Sequence, residues 1–173
     1  MSDAAAKIIE HFGMEYLEGE SGYLVQRPRS EFVRDFDGQP IAIHNSIYYL
    51  LTDAHPTNYL HYLESEDIHI LVDGGPLDYY LFLENGDVRH VRLGRDFEAG
   101  ETFAVTVPAR SYKAIRLAPG ASHGLMVNVL TPSWTEDRVK IGVEDSFYKT
   151  YAGKAAWATD AFLKELAPPA ASD

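Results

Sequence analysis

The sequence of 173 residues contains no cysteine. This excludes disulfides, thiolate metal ligands, cysteine nucleophiles and iron–sulfur clusters, so any metal would need histidine or carboxylate ligands. Basic residues are also scarce, with 15 Lys and Arg against 26 Asp and Glu, and the formal charge is -11. Because this charge repels phosphate backbones and anionic lipid surfaces, we expect no nucleic-acid partner and no membrane partner.

Long hydrophobic runs are absent as well. The first seven residues, MSDAAAK, are polar and lack the apolar run of a signal peptide, and no apolar stretch approaches the roughly 20 residues of a membrane-spanning helix. We therefore expect a cytoplasmic protein. With 46% hydrophobic residues, a chain of this length can bury a core of its own, so we expect a single domain over residues 1–173.

The sequence is instead rich in short apolar or alternating runs separated by turn residues. Nine runs predict strands, over residues 22–25, 41–51, 59–63, 68–72, 79–83, 88–93, 102–107, 112–117 and 124–131. Turn signals such as Asp73-Gly74-Gly75-Pro76 lie between them, and Asn85-Gly86 is the strongest hairpin signal. This punctuation predicts an all-β sandwich or barrel with its core over residues 23–131.

Short helices are predicted at both ends of the chain. Ser2 or Asp3 can cap a helix that runs through Phe12 and stops at Gly13. A helical extension is expected over residues 147–167, with its main helix at 155–166 before Pro168-Pro169 ends it. The Ala-Pro tail from Ala167 is expected to fray.

Titratable side chains are concentrated between His61 and Leu77. Side chains two apart in a strand share a face, so Asp67 and His69 should point the same way. If His61 belongs to the preceding strand, it can reach them across a hairpin. Such a cluster is costly to bury unless its members pair, bind a metal or handle protons.

Several segments together resemble the cupin superfamily. Asp67, six further residues, Gly74 and then Pro76 resemble half of the first cupin motif, with Asp in the usual Glu place. The chain is similar to a small cupin family of largely unknown function with a Pro-Glu-Gly-Gly-Tyr-type N-terminal signature. The matching segments are Glu20-Ser-Gly-Tyr23 with Arg29-Ser30, Ser46-Ile-Tyr-Tyr-Leu-Leu51, His61 with Ser65, Gly74 with Pro76-Leu77, and Val107-Pro-Ala109.

This resemblance implies a double-stranded β-helix, the cupin jelly-roll barrel, with a ligand pocket in its mouth. It also implies a homodimer, which would cover sheet edges that a single barrel leaves open. The pocket is expected to take a small polar molecule.

The chain departs from the metal-binding cupins at their ligand positions. The resemblance places Tyr59, His61, Asp67 and Lys113 where two His, a Glu and a third His would bind the metal. A lysine ammonium repels a divalent ion, so we expect no cofactor. A weaker alternative is an iron or zinc site built from His61, Asp67 and His69.

Two classes of function remain open. The first is a metal-independent enzyme that isomerises, epimerises or dehydrates a polar carbonyl or sugar-like substrate. His61 or His69 would act as base, oriented by Asp67, and Lys113 or Tyr59 would donate a proton or hold an anionic group of the substrate. A Schiff base formed by Lys113 is a narrower version of the same hypothesis. The second is a binding module that holds a small ligand without chemistry. The further candidate ligand contacts are Tyr48, His44, Glu20, Tyr23 and Arg29. The tyrosines could equally be core aromatics. The segment from Glu20 to Arg29 could instead complete the sheet of a partner subunit in a dimer.

Overall fold

The computed structural model describes residues 1–169, which contain thirteen β-strands and three α-helices. Strands β1 to β13 span, in chain order, Glu15–Tyr16, Tyr23–Arg29, Val33–Phe36, Gln39–Ala42, Asn45–Thr52, Thr57–Leu63, Glu66–Gly74, Leu77–Phe82, Val88–Leu93, Ala104–Val107, Ser111–Leu117, His123–Thr131 and Val139–Ile141. Helices α1, α2 and α3 span Asp3–Phe12, Asp145–Tyr151 and Asp160–Glu165. The last four residues of the predicted tail, 170–173, lie outside the described residues.

Two antiparallel sheets form the body of the molecule. The first has six strands in the order β1-β2-β5-β12-β7-β10, and the second has five in the order β13-β6-β11-β8-β9. Strands β3 and β4 form a separate hairpin. The predicted all-β jelly roll with short terminal helices is thus confirmed, although the sheets are not closed into a barrel.

All nine predicted runs fall on strands, with one run divided. The run 41–51 is two strands, because the chain bends between Ala42 and Asn45 and passes from the β3–β4 hairpin into the six-stranded sheet. No glycine or proline marks this bend, and the sequence signals it only by the polar residues His44-Asn45-Ser46 within the run. The Asn85-Gly86 turn joins β8 to β9 as predicted, with Gly86 in the left-handed region at φ 85°.

Helix α1 has the predicted boundaries. The Ser2 hydroxyl accepts a hydrogen bond from the Ala5 amide at 3.2 Å, and Gly13 ends the helix at φ 61°. A left-handed residue at this position favours glycine, since it has no side chain to clash. The helix packs against the outer face of the six-stranded sheet through the buried Ala5 and Leu50.

The C-terminal extension differs from the prediction, and a continuous helix over 155–166 is wrong. The structure has two short helices, α2 and α3, separated by residues 152–159. Thr159 starts α3 by accepting a hydrogen bond from the Phe162 amide at 3.2 Å, and Gly153 adopts φ 79°. A capping threonine and a left-handed glycine both favour a helix boundary over a continuous helix.

Both C-terminal helices cover the outer face of the five-stranded sheet. Phe147 and Tyr151 of α2, with Leu163 of α3, pack on Leu60 and Phe82 of the strands. A second apolar cluster, which includes Tyr79 and Met126, fills one part of the space between the sheets. Among residues 1–169, no helix has the length and apolar character needed to cross a membrane.

Leu163→Ala tests the docking of α3. Its side chain is fully buried, so we expect the free energy of unfolding to fall by about 2–5 kcal/mol through lost burial and a residual cavity. Urea denaturation followed by circular dichroism measures this change. Lys164→Ala, on the exposed side of the same helix, is the control and should change stability by less than about 0.5 kcal/mol. Equal effects of the two substitutions would contradict the docking.

Candidate functional site

A cavity of about 250 Å³ lies between the two sheets. Its titratable lining residues are Glu20, Tyr49, His61, Asp67, His69 and Lys113. Asparagine amides and several leucines complete the wall, together with Ile47 and Trp134. This mixture of apolar surface and a few convergent polar groups is typical of a small-molecule site.

The two sheets contribute opposite halves of the cavity. Asp67 and His69 are two residues apart on β7, so both side chains lie on the inner face of the six-stranded sheet. His61 on β6 and Lys113 on β11 are direct cross-strand partners in the five-stranded sheet. The predicted hairpin is therefore wrong, because β6 and β7 belong to different sheets and His61 meets Asp67 across the interior. The predicted proximity of these side chains is nevertheless present.

A buried cluster formed by Lys113, Asp67 and His69 occupies one side of the cavity, each side chain at most 3% exposed. The Lys113 ammonium donates to Asp67 Oδ2 and lies 3.0 Å from His69 Nε2. His69 Nε2 is 2.7 Å from the same Asp67 oxygen. Burial by itself would raise the pKa of Asp67, but the neighbouring His69 and Lys113 lower it well below its usual value.

His69 has both ring nitrogens occupied within the protein. A contact of 2.7 Å to a carboxylate needs a proton between the atoms, so Nε2 donates to Asp67. Nδ1 lies 2.9 Å from the Tyr79 hydroxyl oxygen, which also lies 2.8 Å from Met126 Sδ. Burial, reinforced by Lys113, lowers the pKa of His69 to about 4 despite the favourable effect of Asp67. This histidine is neutral near pH 7, and both of its ring nitrogens already have partners within the protein.

His61 has a different arrangement. Its Nδ1 lies 2.8 Å from the Tyr59 carbonyl oxygen, and a carbonyl can only accept, so Nδ1 carries the proton. Nε2 therefore has a lone pair, and it lies 3.6 Å from Glu20 Oε2. Burial lowers the pKa of His61, and Lys113 adds to this effect while Glu20 opposes it. Near pH 7 the ring is a neutral base.

Glu20 reaches the cavity from the loop between β1 and β2. Its carbonyl oxygen accepts hydrogen bonds from the Tyr59 amide at 2.8 Å and from Asn58 Nδ2 at 3.3 Å. Gly22 has φ 91°, and a Cβ there would collide with the ring of Tyr49, whose hydroxyl donates to the Ser21 carbonyl. The glycine in this segment thus lets the loop close onto β5 and hold Glu20 in place.

The other predicted ligand contacts lie away from the cavity. Tyr23 and Tyr48 pack on the opposite face of the six-stranded sheet, beside α1. Arg29 and His44 are exposed. Tyr59 is half-buried and presents its backbone to the site, through the carbonyl that binds His61.

Sequence reasoning missed Asn45, Asn128 and Tyr79. Asn45 Nδ2, Asn128 Oδ1 and Asp67 Oδ1 are buried without a hydrogen-bond partner among the described residues, and all three side chains line the cavity. An unpaired buried polar atom is costly unless a ligand or water satisfies it. The two asparagines could have been found from the alternation of side chains along a strand, since both occupy inward-facing positions, Asn45 on β5 and Asn128 on β12.

The residues of the cavity do not fit a metal ion. Within residues 1–169, no group of three or more His, Asp or Glu side chains is arranged to hold one. Asp67 Oδ2 and His69 Nε2, the atoms that would ligate it, both contact the Lys113 ammonium. A bound divalent ion would have to displace that positive charge.

Residues 6–141 match the model of a family described as Cupin superfamily (DUF985). Among solved structures, a hypothetical protein from Leishmania major is 23% identical with a TM-score of 0.82, covering 95% of this chain and 99% of that chain. A protein from Shewanella oneidensis is 22% identical with a TM-score of 0.76, covering 98% of this chain and 99% of its own.

A more distant likeness is to oxalate decarboxylase from Bacillus subtilis. It is 12% identical with a TM-score of 0.53, covering 75% of this chain and 30% of that enzyme. A search of curated proteins found no match. At these identities the solved structures establish the shared fold alone.

Lys113→Met tests the buried ion pair. Removal of the ammonium leaves the Asp67 charge buried and uncompensated, so the free energy of unfolding at pH 7 should fall by about 3–5 kcal/mol. Adding Asp67→Asn to this variant should restore most of the loss. Lys7→Met, which breaks an exposed pair with Asp3 on α1, is the control and should cost less than about 0.5 kcal/mol. If Lys113→Met resembled this control in urea denaturation, the pair would not be a structural element.

The lowered pKa of His69 predicts a pH dependence of stability. Between the ordinary pKa of 6.5 and the folded value of about 4, the unfolded chain binds a proton that the folded chain does not. Stability should therefore fall as pH falls through this window, with His61 acting in the same direction. His69→Gln should reduce the slope in urea denaturation measured across this range, with the exposed His11→Gln as the imidazole control. An unchanged slope in His69→Gln would contradict the assignment.

Proposed function

The chain belongs to the cupin superfamily, in the family described as DUF985, and we propose that it is a metal-independent acid–base enzyme for a small polar carbonyl compound. The observation that carries this proposal is the hydrogen bond from His61 Nδ1 to the Tyr59 carbonyl. It selects the tautomer whose Nε2 can accept a proton, on a side chain that lines the cavity.

Lys113 supplies the complementary electrophilic group. Its ammonium has three protons, and Asp67 accepts one of them. A remaining proton can bind the carbonyl oxygen of a substrate. Since Lys113 and His61 are cross-strand partners, with Cβ atoms about 5 Å apart, the carbon next to that carbonyl can lie within reach of His61 Nε2.

Glu20 stabilises the charge that the reaction creates. When His61 Nε2 removes a proton from the α-carbon, the electron pair moves to the carbonyl oxygen and forms an enolate held by Lys113. His61 becomes an imidazolium, and Glu20 Oε2 at 3.6 Å provides the opposite charge. Return of the proton to the opposite face of an enolate that has turned within the cavity gives epimerisation. Return of the proton to the former carbonyl carbon, while the hydroxyl proton passes to the other oxygen, gives isomerisation. Transfer of the proton from the imidazolium to a departing β-hydroxyl gives dehydration with release of water.

Asp67 and His69 have a supporting role in this proposal. His69 has no free nitrogen, because Asp67 and Tyr79 occupy both of them. The base is therefore His61, and the buried cluster positions the Lys113 ammonium. The same ion pair makes Lys113 a hydrogen-bond donor, which favours enolate stabilisation over a Schiff base.

A binding module without chemistry is the second candidate. The polar atoms of Asn45 and Asn128 that lack a partner among the described residues are consistent with it, since they would recognise a ligand whether or not a reaction follows. The two functions differ in whether His61 acts on a bound molecule.

Deuterium exchange distinguishes them. We expect the protein to accelerate exchange of the α-hydrogen of small hydroxy-aldehydes and hydroxy-ketones in D₂O, measured by proton NMR. His61→Gln should slow this exchange by about 100-fold or more while ligand affinity changes little. His11→Gln is the matched control, and treatment with chelator should leave the rate unchanged.

Two results would contradict the proposal of a metal-independent enzyme. Binding of the same compounds without any exchange would favour the binding module. Exchange that needs an added divalent metal would instead support metal-dependent chemistry.

A further inference from the structure

The charge of the cavity limits its ligand. Glu20 and Asp67 supply two carboxylates, and Lys113 is the one Lys or Arg side chain among the described residues that line it. That cation is already paired with Asp67. A phosphate or carboxylate group would therefore enter a buried space with excess negative charge and no unpaired cation to receive it.

The unpaired polar atoms specify what the ligand must offer. Asp67 Oδ1 and Asn128 Oδ1 accept hydrogen bonds, while Asn45 Nδ2 donates. His61 Nε2 adds another acceptor. A ligand that satisfies this set needs several donors and at least one acceptor, which hydroxyl groups provide together. A simple ammonium ligand has no acceptor for Asn45 and would bring positive charge close to Lys113.

The strand register distributes these atoms over the floor of the cavity. Asn45 on β5 and Asp67 on β7 both align with Leu130 of the intervening strand β12. Asn128 lies two residues along β12, in register with His69. With neighbouring strands about 4.8 Å apart, the outer two residues have backbones about 10 Å apart, and Asn128 lies between their strands. This spacing suits a chain of carbons that each carry a hydroxyl.

The volume of the cavity indicates how large a ligand it can hold within its walls. A cavity of about 150 Å³ accommodates benzene, so the present volume of about 250 Å³ suits about ten non-hydrogen atoms, the size of a pentose. A nucleotide sugar is several times larger. The apolar wall, which includes Leu130 and Trp134, offers a surface for the C–H groups of a sugar.

We infer that the cavity takes a free, uncharged sugar of about five carbons, and excludes sugar phosphates, sugar acids and nucleotide sugars. The inference deepens the proposed function and rests on it for the reactive carbonyl group. Recognition of the sugar depends on the side-chain amides of Asn45 and Asn128 and on the negative charge of the cavity. Binding can therefore be measured separately from turnover.

Isothermal titration calorimetry of the full chain with the four aldopentoses tests the ligand class. At least one should bind with a Kd of about 10 mM or tighter, and its 5-phosphate and its aldonic acid should bind at least about tenfold more weakly. Equal or tighter binding of either anion, or no binding of any pentose, would overturn the inference.

Two variants locate the binding and test its electrostatic basis. Asn128→Leu removes an unpaired acceptor and should weaken pentose binding about tenfold. Glu20→Gln removes one negative charge from the lining, so it should narrow the difference between a pentose and its 5-phosphate. Unchanged pentose affinity in Asn128→Leu would show that the sugar binds outside this cavity. If Glu20→Gln left the ratio of the affinities for the pentose and its 5-phosphate unchanged, the charge of the cavity would not be what excludes anions.

The outcomes for ligand class and reaction can be told apart. Pentose binding without α-hydrogen exchange would retain the ligand class and refute the enzyme. Exchange confined to charged carbonyl compounds would retain the enzyme and refute the ligand class.

Discussion

The ion pair between Lys113 and Asp67 is the interaction on which the site depends. Asp67 belongs to β7 of the six-stranded sheet and Lys113 to β11 of the five-stranded sheet, so the pair joins the two sheets through the interior. Each charge would be strongly unfavourable alone in this buried position. Their mutual compensation lets a polar cavity exist beside the apolar cluster around Tyr79 and Met126.

The immediate partners of each histidine decide what it can do. His69 lies against Asp67 and Tyr79 and has both nitrogens occupied. His61 lies against a backbone carbonyl, which leaves its second nitrogen open to the cavity. Two residues of one type thus differ in chemistry because of the atoms around them. The carboxylate of Glu20 adds a counter-charge beside the open nitrogen, held there by a loop that closes through Gly22 and Tyr49.

Much of the fold could be predicted because its signals are local. The short apolar or alternating runs, the Asn85-Gly86 turn, and the Ser2 and Gly13 caps depend only on neighbours along the chain. The errors arose where local signals were silent or misleading. The bend before Asn45 contains no glycine or proline, and the helix predicted over 155–166 begins only at Asp160, after the Thr159 cap.

The candidate site was predictable in its chemical types and less so in its geometry. Asp67 and Lys113 meet as the resemblance implied, and His69 joins them because it shares the face of Asp67 on β7. Tyr48 and Tyr23, in contrast, lie on the far face of the sheet. The positions of most strands, the absence of thiols and the excess of acidic residues follow from the sequence alone, since they are properties of composition and short-range order. The stacking of the two sheets was needed to bring His61 opposite Asp67, to place Tyr79 beside His69, and to turn Asn45 and Asn128 into the cavity wall. Those contacts join residues far apart in the chain, and their geometry is set by how the two sheets stack.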